Sequence, residues 1–205
     1  KNWITNGSSA STYIVIAQTD IEKGHKGINA FIIEKGWTGF EIGPKEKKMG
    51  IRGSDTHSLM FTDVKVPKEN RIGDDGFGFN FAMAVLNGGR IGIASQALGI
   101  AKGAFELALQ YAQDRKAFGK EIFKHQAIAF KLADMATQIA AAEMLVLKAA
   151  SEKDAGQDIS QSGAMAKLFA SQTAMDTTIE AVQIHGGNGY VAEYHVERMM
   201  RDAKI

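Results

Sequence analysis

Two segments of the sequence pair an aromatic side chain with a hydrogen-bond donor. In the run WITNG at residues 3–7, Trp3 and Thr5 stand two positions apart and would face the same side of a strand. The indole could then lie against a planar ring while the hydroxyl donates to it. A core Trp beside a surface Thr is the commoner arrangement in proteins, and the spacing leaves both interpretations open.

In the run DRKAFGK at residues 114–120, Arg115 offers a forked donor for a phosphate and Phe118 a face for a base or ring. The alternative is a plain helix end, because cations near a helix C-terminus favour the dipole and Gly119 is a plausible stop.

A third segment, QIHGGNGY at residues 183–190, has three glycines in four positions. Amide groups without neighbouring Cβ atoms can approach an anion, and the N-terminus of the next helix adds partial positive charge. A tight turn between helices is the commoner explanation. His185 has no second His or acidic partner at metal-ligand spacing, so we expect a packed or capping histidine and no metal site.

A fourth segment consists of Asn87, Gly88, Gly89 and Arg90 inside a helical pattern. Each glycine costs about 1 kcal/mol relative to Ala in a helix. The two glycines therefore predict that the helix backbone comes close to a second group, either a packed helix or a ligand.

The elements that position these segments change type near residue 76. Residues 1–76 contain three Ala and both Pro, whereas residues 77–205 contain 26 Ala and no Pro. Strand-like runs cover residues 13–17, 28–33 and 59–66. The sequence predicts an α+β protein, with a partial β-barrel or sandwich followed by an antiparallel four-helix bundle.

Apolar residues at alternating spacings of three and four predict the packing seams of that bundle. The seams are Leu98, Ala101, Phe105, Ala108 and Ala112; Ile128, Leu132, Met135, Ile139, Ala142, Val146 and Ala149; and Met165, Leu168, Met175, Ile179 and Val182. Breaks are expected at Gly119, near residues 156–160 and at residues 186–189, with a fourth helix from about Glu193.

Composition excludes several classes of function. The formal net charge of +1 provides no excess of positive charge that would indicate binding to nucleic acid or an anionic membrane. The chain has no Cys, which excludes disulfides and thiol chemistry, and no apolar run near the length of a membrane span.

Taken together, seven motifs resemble the flavin-dependent acyl-CoA dehydrogenases, and the stretch 86–100 resembles their short-chain (butyryl-CoA) branch. They are WITNG (3–7), GIRGS (50–54), FTDVKVP (61–67), RIGIA (90–94), DRKAFG (114–119), QIHGGNGY (183–190) and RDAKI (201–205). The resemblance covers the whole length.

The resemblance implies an incomplete middle β domain over residues 1–75 and an incomplete C-terminal helical bundle over 76–205. It implies FAD as cofactor, with Trp3, Ile4 and Thr5 beside the flavin ring. The FAD of a neighbouring subunit would be held by Arg115, Phe118, Gln126, Gln183, Gly186 and Gly187. Four residues of the helical pattern would line the acyl-CoA site: Asn87, Gly88, Gly89 and Arg90.

The family's catalytic base is a Glu found at one of two places, and this sequence has it at neither. One branch takes it from the bundle helix just before an Arg, where this chain has Gly89. The other takes it from a Tyr-Glu-Gly-Thr motif, which we expect just beyond Ile205. No catalytic residue is therefore assigned within residues 1–205, and the fragment alone is expected to be inactive.

The resemblance further implies a homotetramer, a dimer of dimers built on the bundle, which passes electrons to an electron-transferring flavoprotein. The expected location is the cytoplasm if bacterial, or the mitochondrial matrix if eukaryotic. Two alternatives remain open: an acyl-CoA oxidase or flavin monooxygenase on the same fold, and a non-catalytic helical interaction module.

Overall fold

The computed structural model describes all residues from 1 to 205, which form two compact units, Lys1–Leu86 and Asn87–Ile205. The predicted domain boundary at residue 75 precedes the first long helix, whereas this division falls inside that helix. None of the helices combines the length and the apolar composition needed to cross a bilayer.

The first unit contains two three-stranded antiparallel sheets, with no closed barrel. The strands are β1 (Ile4–Thr5), β2 (Thr12–Gln18), β3 (Ile28–Glu34), β4 (Phe40–Lys45), β5 (Thr56–Phe61) and β6 (Arg71–Ile72). One sheet has the order β1-β5-β4 and the other β2-β3-β6.

The alternation of side chains along β2 explains which residues form the core. Tyr13 and Val15 are buried while Ile14 between them is exposed, as expected for a strand with one face inward. Tyr13 meets Phe40 of β4 edge-on, with ring centroids 4.9 Å apart. Ile33 of β3 and Leu59 of β5 belong to the same core.

The predicted strands at 13–17 and 28–33 are confirmed as the paired β2 and β3. The predicted strand at 59–66 is wrong in its second half, because β5 ends at Phe61 and Asp63 adopts φ 51. A left-handed residue breaks the extended backbone that a strand requires. The short strands β1 and β6, and also β4, were not expected.

The second unit is helical, and its first helix begins in the first unit. The elements are α1 (Gly78–Asp114), a small hairpin of β7 (Lys116–Ala117) and β8 (Lys120–Glu121), α2 (Gln126–Asp154), α3 (Ser160–His185) and the short α4 (Val196–Ala203). The α+β class, with sheets followed by helices, is confirmed. The fourth helix begins at Val196 rather than near Glu193.

The predicted seams of α1 and α2 are confirmed as core positions, since Leu98, Ala101, Leu132 and Ile139 are all buried. Side chains of α1, α2 and α3 share one apolar cluster.

The predicted seam of α3 is wrong at three of its five positions, because Met165, Leu168 and Ile179 face outward, whereas Met175 and Val182 are partly buried against the core. Leu168 is 72% exposed, and Met165 and Ile179 are each 47% exposed. The buried face consists of small residues and threonines instead, among them Gly163, Ala166, Ala170, Thr173, Ala174, Thr177, Thr178 and Ala181. Small side chains allow close packing between helices, so the face with the larger apolar residues is left for the surface.

Candidate functional site

The connection between α1 and α2 forms a tight hairpin whose tip is Phe118. β7 and β8 pair directly, and the two residues between them, Phe118 and Gly119, have φ values of 51° and 80°. Positive φ at both positions is typical of the two-residue turns that match strand twist. Gly119 therefore serves the turn and does not end the helix, because α1 already ends at Asp114.

Phe118 is 96% exposed although it occupies a left-handed conformation that L-residues other than Asn and Asp rarely adopt. This conformation costs roughly 1–2 kcal/mol, and burial of the ring within the chain does not offset it. The only ring near it is His125, edge-on at 6.1 Å. An exposed aromatic ring held at such a cost is a candidate contact for a planar ligand.

Arg115 stands at the base of this hairpin with its backbone fixed and its side chain free. Its N–H donates to the Tyr111 carbonyl at 2.9 Å, and its carbonyl accepts from Ile122 N–H at 2.8 Å. The guanidinium is exposed and has no hydrogen bond or ion pair within the chain. Gln126, the first residue of α2, is also exposed.

Charge on the hairpin is partly balanced. A hydrogen bond from Lys124, with added attraction from Lys116, lowers the pKa of Glu121 to about 2. The Glu121 carboxylate thus neutralises nearby ammonium charge and leaves Arg115 as an unpaired cation. His125 Nε2–H donates to the Ala117 carbonyl at 3.1 Å, which ties the hairpin to the start of α2.

The glycine-rich segment forms a short 3₁₀ turn, Gly186–Tyr190, directly after α3. Gly186 has φ 60°, and a Cβ on the buried Gly189 would lie 2.4 Å from the Val182 carbonyl oxygen, so local geometry requires both glycines. Gly187 is exposed with open space around it. The expected helix N-terminus is not at this turn, since α4 begins only at Val196.

His185 is confirmed as a packed residue. Its ring stacks on Tyr111 with centroids 4.2 Å apart, and Nδ1–H donates to the Ala181 carbonyl at 2.8 Å. Burial lowers its pKa, and the hydrogen bond to Ala181 opposes this only in part. Asn188 Nδ2 donates to the Tyr111 hydroxyl at 3.0 Å.

Tyr111 therefore joins two predicted flavin-binding segments. It lies in the last turn of α1, four residues before Arg115, and it contacts both His185 and Asn188 around the glycine-rich turn. Neither Tyr111 nor Asn188 was among the predicted site residues. No spacing signal marks Tyr111, because its partners are far away in the chain.

In the first unit, Trp3 lies outside β1 and adopts φ 54°, so the expectation of strand alternation with Thr5 is wrong. Trp3 is 75% exposed, which also excludes the core interpretation. Ile4 and Thr5 pair with His57 and Thr56 of β5.

The loop after β1 is held by Asp55, another residue that the sequence analysis missed. Its carboxylate accepts from Ser8 N–H and from the Ser9 hydroxyl, both at 2.9 Å. These hydrogen bonds hold the pKa of Asp55 well below its usual range. They fix the chain that follows Trp3 and Thr5.

The predicted substrate segment lies on α1. Arg90 Nη1 donates to Asn87 Oδ1, and Asn87 Nδ2 donates to the Ser160 hydroxyl at 3.3 Å. A Cβ on Gly89 would meet nothing within 4 Å, and one on Gly88 would only touch the flexible end of Lys153. No backbone of a neighbouring helix lies within 4 Å of either Cβ position, and the ligand interpretation stays a prediction.

Comparison with known proteins matches the two parts of the chain to two different domain models. Residues 76–205 match the model of the acyl-CoA dehydrogenase C-terminal domain, and residues 1–64 match that of the middle domain. The chain belongs to the acyl-CoA dehydrogenase family.

Individual relatives support the short-chain branch. The short-chain-specific acyl-CoA dehydrogenase of Clostridium acetobutylicum is 55% identical over all of this chain and 54% of its own length. The butyryl-CoA dehydrogenase structure from Megasphaera elsdenii is 55% identical, with a TM-score of 0.97 over 100% of this chain and 53% of that one.

A third relative is a subunit of an electron-transfer complex. The caffeyl-CoA reductase–Etf complex subunit CarC of Acetobacterium woodii is 46% identical over all of this chain and 54% of its own length. The chain thus spans about half the length of the acyl-CoA dehydrogenase relatives that it matches.

Proposed function

We propose that the full-length protein is an FAD-dependent acyl-CoA dehydrogenase that converts a short-chain acyl-CoA to the trans-2-enoyl-CoA. The observation that carries this proposal is the pairing of an exposed, left-handed Phe118 with an unpaired Arg115 on one rigid hairpin. The 55% identity to a short-chain-specific relative supports the substrate class.

The residues present fit FAD. The Arg115 fork can bond two oxygens of a pyrophosphate, and the Phe118 ring can stack on an adenine. Gly187 is the one glycine of its turn that neither a positive φ nor close packing requires, and its exposed backbone can be approached by a phosphate or ribose. Gln126 and Gln183 are both exposed beside these segments and can add amide hydrogen bonds.

When bound, FAD supplies the acceptor for the two electrons and the hydrogen that leave Cβ of the substrate. The chain's own residues bind and orient. Trp3 would lie beside the flavin ring and Thr5 would donate a hydrogen bond to it, while Asn87 and Arg90 would bind the acyl-CoA. The α-proton goes to a carboxylate that we place in a Tyr-Glu-Gly-Thr-like segment beyond Ile205, because Gly89 can supply none. The fragment without that carboxylate is proposed to be inactive.

Assembly and electron transfer complete the proposal. α2 and α3 each present large apolar side chains to solvent, including Phe130, Met144, Leu147 and Leu168. Such faces are typical of interfaces and support a homotetramer built on the bundle. The relative from an Etf complex supports an electron-transferring flavoprotein as partner. The bacterial origin of the relatives supports the cytoplasmic location.

The test that separates a dehydrogenase from an oxidase is reoxidation. The full-length enzyme is reduced anaerobically with butyryl-CoA and then mixed either with air or with an electron-transferring flavoprotein. We expect rapid reoxidation by the flavoprotein and slow reoxidation by oxygen. Fast reoxidation by air would assign an oxidase or monooxygenase, and absence of flavin after purification and incubation with FAD would favour an interaction module.

A further inference from the structure

Four polar side chains form a continuous chain of hydrogen bonds from α1 to the N-terminus of α3. Arg90 Nη1 donates to Asn87 Oδ1, and Asn87 Nδ2 donates to the Ser160 oxygen at 3.3 Å. The Ser160 hydroxyl in turn donates to Asp158 Oδ1 at 2.6 Å. All three bonds run in the same direction, from the guanidinium to the carboxylate.

Asp158 fixes that direction. An ionised carboxylate can only accept, so the Ser160 hydroxyl hydrogen is used toward Asp158, and its oxygen is left to accept from Asn87. The amide of Asn87 must then turn its NH₂ group toward Ser160, which turns its oxygen toward Arg90. The carboxylate of Asp158 therefore favours, through Ser160, the orientation of the Asn87 amide that accepts from Arg90.

The carboxylate is itself held in place. Its Oδ1 also accepts from Ser160 N–H at 2.9 Å, at the first turn of α3, where the helix dipole favours negative charge. These two bonds from Ser160 lower the pKa of Asp158, which is therefore ionised at neutral pH. With a cation at one end and an anion at the other, the aligned dipoles between them strengthen one another.

We propose that Ser160 and Asp158 are positioning residues that hold Asn87 and Arg90 in the orientation that binds acyl-CoA. This inference rests on the proposed function, which assigns Asn87 and Arg90 to the substrate. Arg90 is exposed, which leaves the rest of its guanidinium accessible to a ligand. Neither Ser160 nor Asp158 touches the substrate in this account.

The matched variants are made in the full-length holoenzyme. Ser160→Ala removes the hydroxyl that links Asn87 to Asp158, whereas Ser160→Thr keeps it. Ser162→Ala is the control, because this serine lies on the same helix and its buried hydroxyl has no partner.

We expect Ser160→Ala to raise KM for butyryl-CoA by roughly three- to tenfold, the effect of one hydrogen bond. FAD content and kcat should change by less than about twofold, because a contact made equally in ground and transition states affects binding alone. Ser160→Thr should restore KM, and Ser162→Ala should not change it. An unchanged KM in Ser160→Ala, or an equal rise in the control, would overturn the proposal.

A double-mutant cycle tests whether the effect passes through Arg90. In an Arg90→Ala background, Ser160→Ala should raise KM no further, since the group that it positions is already gone. An additional rise as large as that in the wild-type background would mean that Ser160 acts by another route.

Crystal structures of the full-length protein test the inference without an activity readout. In Asp158→Ala, the Ser160 hydroxyl can donate to Asn87 Oδ1, the amide turns over, and Arg90 moves out of hydrogen-bond distance. Asp158→Asn keeps an oxygen acceptor and should retain the contact. If Arg90 stays bonded to Asn87 in Asp158→Ala, the inference is wrong. If Arg90 moves but the wild type does not oxidise butyryl-CoA, only the proposed function fails.

Discussion

The imidazole of His185 lies against the ring of Tyr111, with centroids 4.2 Å apart and planes 23° apart. The contact joins the last residue of α3 to the last turn of α1. Because Arg115 follows one of these residues and Gly186 the other, the stack sets the spacing between two segments proposed to bind FAD.

The pH dependence of stability should report this stack. Burial lowers the pKa of His185, so the folded chain favours the neutral ring. The stabilising contribution is fully present above the unfolded pKa of about 6.5 and is lost as pH falls from there through the folded pKa. Urea unfolding between pH 5 and 8 should show the free energy of unfolding rising with pH up to about 6.5. His185→Phe should flatten that rise, and an equally steep rise in the variant would show that other groups cause it.

Two glycines of one turn should respond differently to alanine. Gly189→Ala places a Cβ 2.4 Å from the Val182 carbonyl oxygen and should destabilise the protein by about 1–3 kcal/mol. Gly187→Ala meets open space and should leave stability within about 0.5 kcal/mol of wild type while reducing FAD retention. Thermal unfolding and flavin-to-protein absorbance ratios separate the two. Normal flavin content in Gly187→Ala would remove that residue from the site.

Phe118→Asn should make the protein more stable and a weaker flavin binder. Asn tolerates the left-handed conformation at the hairpin tip, so stability should rise by up to about 1 kcal/mol. Loss of the ring should lower FAD retention, whereas Phe118→Tyr should keep it. Thermal unfolding and the flavin-to-protein absorbance ratio measure the two effects. If Phe118→Asn is less stable than the wild type, the ring supports the fold.

Arg115→Ala should weaken FAD retention in the full-length protein more than Arg115→Lys does. A guanidinium fork can bond two phosphate oxygens, whereas an ammonium keeps the charge without that geometry. Dialysis followed by measurement of residual flavin compares the variants. Equal flavin content in both variants and the wild type would mean that Arg115 serves only the end of α1.

The fold class, the paired strands β2 and β3 and the seams of α1 and α2 follow from local patterns in the sequence. The buried face of α3 could not be predicted in this way, because it consists mainly of Ala, Gly and Thr. The exposed Leu168 gave a stronger hydrophobic signal than these small residues. Small residues carry little hydrophobicity, so periodicity marked the surface face.

Individual site residues were predicted from motifs and stay predictions, whereas the backbone geometry at several of them was not expected. No sequence rule predicts Phe at a left-handed turn position, and Trp3 was expected in a strand that it does not join. Tyr111 and Asp55 were missed because their contacts join segments far apart in the chain, which only folding brings together.

The central claim is tested most directly by anaerobic titration of the full-length, FAD-loaded protein with butyryl-CoA. The account predicts that the absorption band of the oxidised flavin bleaches on addition of substrate, with trans-2-butenoyl-CoA as the product. A fully loaded protein whose flavin band is unchanged by excess butyryl-CoA would contradict it.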